Sequence, residues 1–269
     1  MEPVLKVENL VKRYAKRILV GPPQDFLALD GVSFAVSSRS TLAIVGESGS
    51  GKSTLASCIA CLEAPTSGNI WFEGRNLAHS AESELRKTRP QIQLIFPDPA
   101  SSLNSGWSIL EIVAEPLALQ GKLGRKEREL LACSLLERVG LSAEIAARPA
   151  SGLSGGQRQR LAIARALTLD PKILILDEAL SSLDCSTQAQ IANLLLELQD
   201  TLGMTFLFIT HDLTMAAHLA DEIAVMSAGR IVEHGPTPDV LRNPSHEATR
   251  QLLAAVPQLP RSSWPAIQQ

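Results

Sequence analysis

The sequence predicts an α/β protein: a doubly wound parallel sheet, joined to an antiparallel β subdomain and interrupted by an inserted α-helical subdomain. Three observations predict it. The run Ile173-Leu174-Ile175-Leu176 is apolar at every position, as a strand covered by helices on both faces must be. Ahead of residue 97, short apolar runs alternate with turn residues, the rhythm of a strand-rich lobe. Between residues 98 and 153 the apolar spacing becomes helical.

Taken in order, strands are expected at residues 4–7, 31–36 and 41–45, then a helix starting near Lys52, then strands at 69–73 and 91–96. Ile109, Ile112, Val113 and Leu117 fall at helical spacing, as do Leu130, Leu131, Leu135, Leu136 and Val139. From Leu161 helix and strand alternate: an apolar helix over 161–167, the strand at 173–176, a long helix over 187–202 and a strand at 205–209. Pro236, Pro238, Pro244, Pro257, Pro260 and Pro265 surround one short helix at 246–255, which predicts an extended tail with a frayed end.

With 269 residues, 45% of them hydrophobic, the chain can bury a large core or two lobes. A net charge of -3 argues against a mainly electrostatic nucleic-acid binder, and the basic cluster Lys12, Arg13, Lys16 and Arg17 is too short to reverse that. No apolar run approaches the roughly 18 to 20 residues of a bilayer span, and Met1-Glu2-Pro3 does not begin a secretion signal. A cytoplasmic chain is expected, with any membrane role exercised through a spanning partner. Cys58, Cys61, Cys133 and Cys185 read as reduced thiols; the C-x-x-C pair Cys58 and Cys61 reads as buried small hydrophobes on a helix face, because no second pair exists to complete a metal site. His211 and His218 also lack a third ligand.

The segment Gly46-Glu47-Ser48-Gly49-Ser50-Gly51-Lys52-Ser53-Thr54 fits the phosphate-binding pattern G-x-x-x-x-G-K-[ST], with an apolar strand before it and an apolar helix after it. Glycines let successive backbone amides turn inward on an anion, and the helix tip adds positive potential. Lys52 supplies a cation to the β- and γ-phosphates, and Ser53 a hydroxyl to Mg²⁺. This pattern places the core among P-loop NTPases, without distinguishing kinases, GTPases and motors. Asp177 and Glu178 follow the apolar strand at 173–176, at the sheet edge where ligands bind in open α/β folds. Asp177 there can hold Mg²⁺ through water, and Glu178 can orient or deprotonate the attacking water. The same pair could instead cap a helix; beside a phosphate loop the catalytic reading takes precedence.

Leu153-Ser154-Gly155-Gly156-Gln157, ahead of Arg158-Gln159-Arg160 and an apolar helix, reads LSGGQ. Ser154 caps that helix, and together with Gly155, Gly156 and Gln157 it forms a second anion-binding tip in one chain. These residues resemble the signature of ABC (ATP-binding cassette) ATPases. The resemblance implies that ATP lies between the phosphate loop of one subunit and the signature of a second, identical or related subunit. It further assigns adenine stacking to Tyr14, a D-loop to Ser181-Ser182-Leu183-Asp184, and the switch histidine to His211 in Thr210-His211-Asp212. It divides the chain into residues 1–97 (first part of the nucleotide-binding core), 98–153 (helical subdomain), 154–235 (second part of the core) and 236–269 (C-terminal extension).

Asp98-Pro99-Ala100-Ser101-Ser102-Leu103-Asn104, Glu115-Pro116-Leu117 and the tail Asn243-Pro244-Ser245-His246-Glu247-Ala248-Thr249 are similar to the oligopeptide, dipeptide and nickel importer ATPases. That similarity implies an ATPase at the cytoplasmic face of the inner membrane, bound to permease subunits and served indirectly by a solute-binding protein. Two departures stand out. Glu247-Ala248 replaces the usual Pro-Tyr, and Pro97 replaces the glutamine that the family directs at Mg²⁺ and the attacking water. Proline has neither the donor nor the acceptor of that amide. The rival readings are a soluble ABC ATPase of DNA repair or translation, and a regulatory subunit that hydrolyses poorly.

Overall fold

The computed structural model describes residues 3–16, 24–98 and 102–255. The chain runs through β1 (Leu5–Lys16), β2 (Gln24–Val36), β3 (Thr41–Val45), α1 (Lys52–Ile59), β4 (Ser67–Phe72), β5 (Arg75–Asn76), α2 (Glu82–Thr88) and β6 (Ile92–Ile95). Then come α3 (Ile109–Gln120), α4 (Arg125–Arg138), α5 (Gly155–Leu167), β7 (Ile173–Asp177) and α6 (Cys185–Leu202). It ends with β8 (Thr205–Thr210), α7 (Leu213–Leu219), β9 (Glu222–Ser227), β10 (Arg230–Pro236), α8 (Thr237–Arg242) and α9 (Glu247–Ala255).

The period-two alternation of strands decides the layering. β6, β7, β8, β3 and β9 lie side by side in parallel, and β10 edges the sheet antiparallel to β9. Leu42, Ile44, Ile173, Ile175, Leu207 and Ile209 enter one core together with Leu55 and Ile59 of α1. That core is roofed by the antiparallel sheet β2-β1-β4-β5. Ala43, Val45, Leu174, Leu176, Phe206 and Phe208 enter the other core, which holds the apolar faces of α3 to α7. Each fully buried Leu or Ile contributes about 1.5–3 kcal/mol, so both faces of the central sheet are held strongly.

Several expectations change. β1 and β2 are far longer than residues 4–7 and 31–36, because their outer halves alternate with polar residues and pair along their length. α1 ends at Ile59, and Cys61 lies beyond it with φ of 56°, so only Cys58 of the pair is helical; both are buried, and burial pushes each thiol up to about 11. α2, β9 and β10 were not anticipated, and α8 joins α9 where a single terminal helix was expected. The signature helix α5 packs on α3 and α4, so packing runs across the boundary drawn at residue 153. Arg17, Pro99, Ala100, Ser101 and the prolines at 257, 260 and 265 lie outside the described residues.

Candidate functional site

The loop after β3 has the shape its glycines permit. Gly51 sits at φ of 103°, and a Cβ there would run into the Ala28 carbonyl; a Cβ on Gly46 would strike the Met226 carbonyl and lie 3.0 Å from Ser50 Oγ. The Gly229 amide donates to the Ser50 carbonyl at 3.0 Å, and the Asp30 amide donates to the Gly229 carbonyl at 2.9 Å. Loop 46–51 is thereby clamped between β2 and the β9–β10 turn, with Glu47, Ser48, Gly49 and Ser53 exposed and Ser50 buried. Thr54 is half-buried on the first turn of α1.

Lys52 is 4% exposed, and its ammonium donates to the Gly46 and Glu47 carbonyls, both at 2.8 Å. Burial lowers its pKa, against the pull of Glu178 and Asp177. Lys52 Nζ lies 4.0 Å from Glu178 Oε1, and His211 Nδ1 lies 3.6 Å from Glu178 Oε2. The residues from three strand ends therefore converge on one carboxylate. Glu178 has φ of 46°, a left-handed conformation costly for a side chain with a Cβ. Its amide donates to the Ile209 carbonyl of β8 at 2.8 Å, which holds the strained residue beside the strand that ends just before His211.

Asp177 is 4% exposed, and its Oδ1 is buried without a hydrogen-bond partner. Burial raises its pKa, the Ser53 hydroxyl lowers it, Glu178 raises it and Lys52 lowers it. An orphaned buried carboxylate oxygen next to a serine hydroxyl is a hard oxygen set that fits Mg²⁺.

The signature residues stand apart from this cluster. α1 packs on one face of the central sheet and α5 on the other. Ser154 Oγ accepts from the Gln157 amide at 3.3 Å and Gln157 Oε1 accepts from the Ser154 amide at 3.0 Å, a capping box. Close packing also accounts for the glycines: a Cβ on Gly155 would lie 3.2 Å from Leu183 Cδ2, and one on Gly156 would overlap the Thr187 methyl. Asp184 caps α6 in turn, its Oδ1 accepting from the Thr187 amide at 2.9 Å. The hydrogen bonds from Ser186 and Thr187 hold its carboxyl far below the usual range.

Tyr14 is half-buried in β1, its hydroxyl donating to Glu63 Oε2 at 2.6 Å, and the Lys12 ammonium lies 5.0 Å from its ring centroid. Burial, then the Glu63 bond, raise its pKa. Pro97 follows β6 at an exposed position, while Gln93 donates its amide to the Arg89 carbonyl at 2.8 Å and so is committed elsewhere. Sequence reasoning passed over Glu63, Ala28, Met226 and Gly229. They act through backbone carbonyls or across long sequence separations, and no local pattern marks them.

A family model described as ABC transporter matches residues 29–181. The chain is 45% identical over 258 residues to the dipeptide transport ATP-binding protein DppF of Haemophilus influenzae, covering 96% of this chain and 79% of that protein. It is 46% identical to the oligopeptide transport ATP-binding protein OppD of Mycobacterium tuberculosis, covering 95% of this chain but 42% of OppD. Among solved structures, cbiO1 from Clostridium perfringens, part of the ABC transporter complex cbiONQ, superimposes with a TM-score of 0.78 at 32% identity over 96% of this chain and 97% of that one. The ATP-binding cassette MJ0796, dimeric in a post-hydrolysis state with ADP and Pi, gives a TM-score of 0.77 at 31% identity over 87% of this chain and 98% of that one.

Proposed function

From the premise that the chain belongs to the ABC transporter family, we propose that it hydrolyses ATP to ADP and phosphate and thereby drives peptide uptake through a membrane permease. The observation that carries this reading is the convergence of Lys52, Asp177, Glu178 and His211 beside the glycine loop. The loop amides and Lys52 bind the phosphates. A Glu178 oxygen takes a proton from water as the water oxygen bonds to the γ-phosphorus, and the bond from that phosphorus to the β-phosphate bridging oxygen breaks. His211, 3.6 Å from Glu178, orients that carboxylate and contacts the γ-phosphate. Ser53 and Asp177 would hold Mg²⁺, which supplies charge neutralisation at the phosphate oxygens.

Glu178→Gln keeps the shape of the carboxylate and removes its basicity. ATP binding by the purified chain is expected to persist while turnover falls by roughly 10²- to 10⁴-fold. Turnover equal to the wild type would remove Glu178 from the base role.

The phosphate loop and the signature tip flank opposite faces of one central sheet, which supports a two-subunit site in which Ser154, Gly155, Gly156 and Gln157 of one copy meet the nucleotide of another. The second copy is this chain or a related ATPase. No described helix is long and apolar enough to cross a membrane. The likeness to transport ATP-binding proteins supports a peripheral place, on permease subunits at the cytoplasmic face of the inner membrane, with the solute read by the permease and a solute-binding protein. The transported solute is a peptide or a related small solute such as nickel. Pro97 favours a second reading, a subunit that binds ATP and hydrolyses it slowly. Pro97→Gln is expected to raise turnover in the assembled transporter; an unchanged rate would show that the missing amide does not limit the chemistry.

A further inference from the structure

Tyr14 and Phe26 are direct partners across the antiparallel β1–β2 pair, so their side chains leave the same face of the sheet. The next pair on that face is Lys12 and Leu29, with the intervening register shift at Lys12/Arg13 absorbing Ala28. Leu29 Cδ2 comes within 3.3 Å of the place a Gly51 Cβ would occupy, so this face fronts the phosphate loop. Tyr14 is already committed on two sides: its hydroxyl to Glu63, one ring face to the Lys12 ammonium. Phe26 is 58% exposed, an apolar ring that folding has left in solvent beside a fixed aromatic. Exposed aromatics so placed mark contact surfaces rather than core.

We propose that Phe26 is a second base-binding residue, so that the nucleobase rests on Phe26 together with Tyr14 while its phosphates occupy the glycine loop. Glu63 and Lys12 act as positioning residues that keep the Tyr14 ring still. The proposal rests on the nucleotide reading above and adds to it the residue that grips the base. Stacking on an aromatic ring is tolerant of base identity, because every base has a π-face, so Phe26 contributes affinity for a nucleoside triphosphate over bare polyphosphate.

The test measures equilibrium binding of ATP and of inorganic tripolyphosphate to the full chain, for wild type, Phe26→Ala and Phe26→Trp. Phe26→Ala is expected to weaken ATP binding about tenfold and to leave tripolyphosphate binding unchanged. Phe26→Trp is expected to keep both, which separates ring contact from folding. Undiminished ATP binding in Phe26→Ala, or equal loss of both ligands, would overturn the base contact while the phosphate site stood. Wild-type protein that binds tripolyphosphate and prefers ATP no more would likewise overturn it. Wild-type protein that retains neither ligand would overturn the nucleotide reading and this inference with it.

Discussion

Gly156→Ala separates the packing role of the signature glycines from any role toward a ligand. A Cβ at this position would lie closer than 3.0 Å to Thr187 Cγ2, and 3.7 Å and 3.8 Å from Thr187 Cβ and Oγ1. Thr187 cannot simply rotate away, because its Oγ1 donates to Asp184 Oδ2 at 2.7 Å and its amide to Oδ1 at 2.9 Å, the N-cap of α6. Either the tip of α5 retreats, at about 1–3 kcal/mol for overpacking, or the cap is lost, at about 0.5–2 kcal/mol. Alanine returns up to about 1 kcal/mol of helix propensity. The net expectation is a loss of roughly 0.5–2 kcal/mol, read as a fall in Tm of about 1–6 °C. Thr187→Ser deletes the methyl and keeps the hydroxyl. In that background Gly156→Ala should be neutral within about 0.5 kcal/mol, so the double-mutant cycle yields a coupling of about 0.5–2 kcal/mol. Urea unfolding of the four proteins gives the energies, and ATP turnover of the same four shows whether stability and activity recover together. A Gly156→Ala variant as stable as wild type would refute the packing account.

Lys52→Met removes the ammonium that the loop carbonyls hold, and ATP affinity by equilibrium dialysis is expected to fall roughly 10- to 100-fold, the worth of charge-assisted hydrogen bonds to phosphate. Unchanged affinity would separate Lys52 from the nucleotide. Burial pushes Glu233 of β10 up, but the Ser245 and His246 amides and the Thr249 hydroxyl outweigh it and bring it to about 2. A folded pKa below the unfolded value of about 4.3 means that this contact stabilises fully above that pH and is lost as pH falls through it toward 2. The protection of the α9 (Glu247–Ala255) amides, their exchange rate compared with the intrinsic rate at each pH, is therefore expected to fall between pH 6 and pH 3, and in Glu233→Gln to be low at both. Equal protection of α9 in wild type and variant at pH 6 would show that Glu233 does not dock the tail.

The proposed nucleotide site was legible where its chemistry is local. The glycine loop, Lys52 and Ser53 sit in one short stretch, since a helix tip and consecutive amides make an anion site without distant help. Asp177 and Glu178 were legible because an apolar strand must end somewhere, and acidic residues at that end cannot be core. The strain at Glu178 was not, because the Ile209 carbonyl that sustains it comes from a strand far along the chain. Tyr14 was named from resemblance, while Phe26, its partner in the register, carried no motif. Gly155 and Gly156 were read as anion binders alone, and their contacts with Leu183 and Thr187 emerged only from how α5 meets the start of α6.

Periodicity and adjacent residues were enough to set the fold class, the parallel sheet covered on both faces and the proposal of a phosphate-binding loop. Tertiary structure decided the lengths of β1 and β2, the docking of α8 and α9, the distances from Glu178 to Lys52 and His211, and the face on which Tyr14 and Phe26 meet. These depend on pairing and packing between residues far apart in the chain. A local pattern states what each residue prefers; which distant neighbour satisfies that preference is settled only when the two cores close around the sheet.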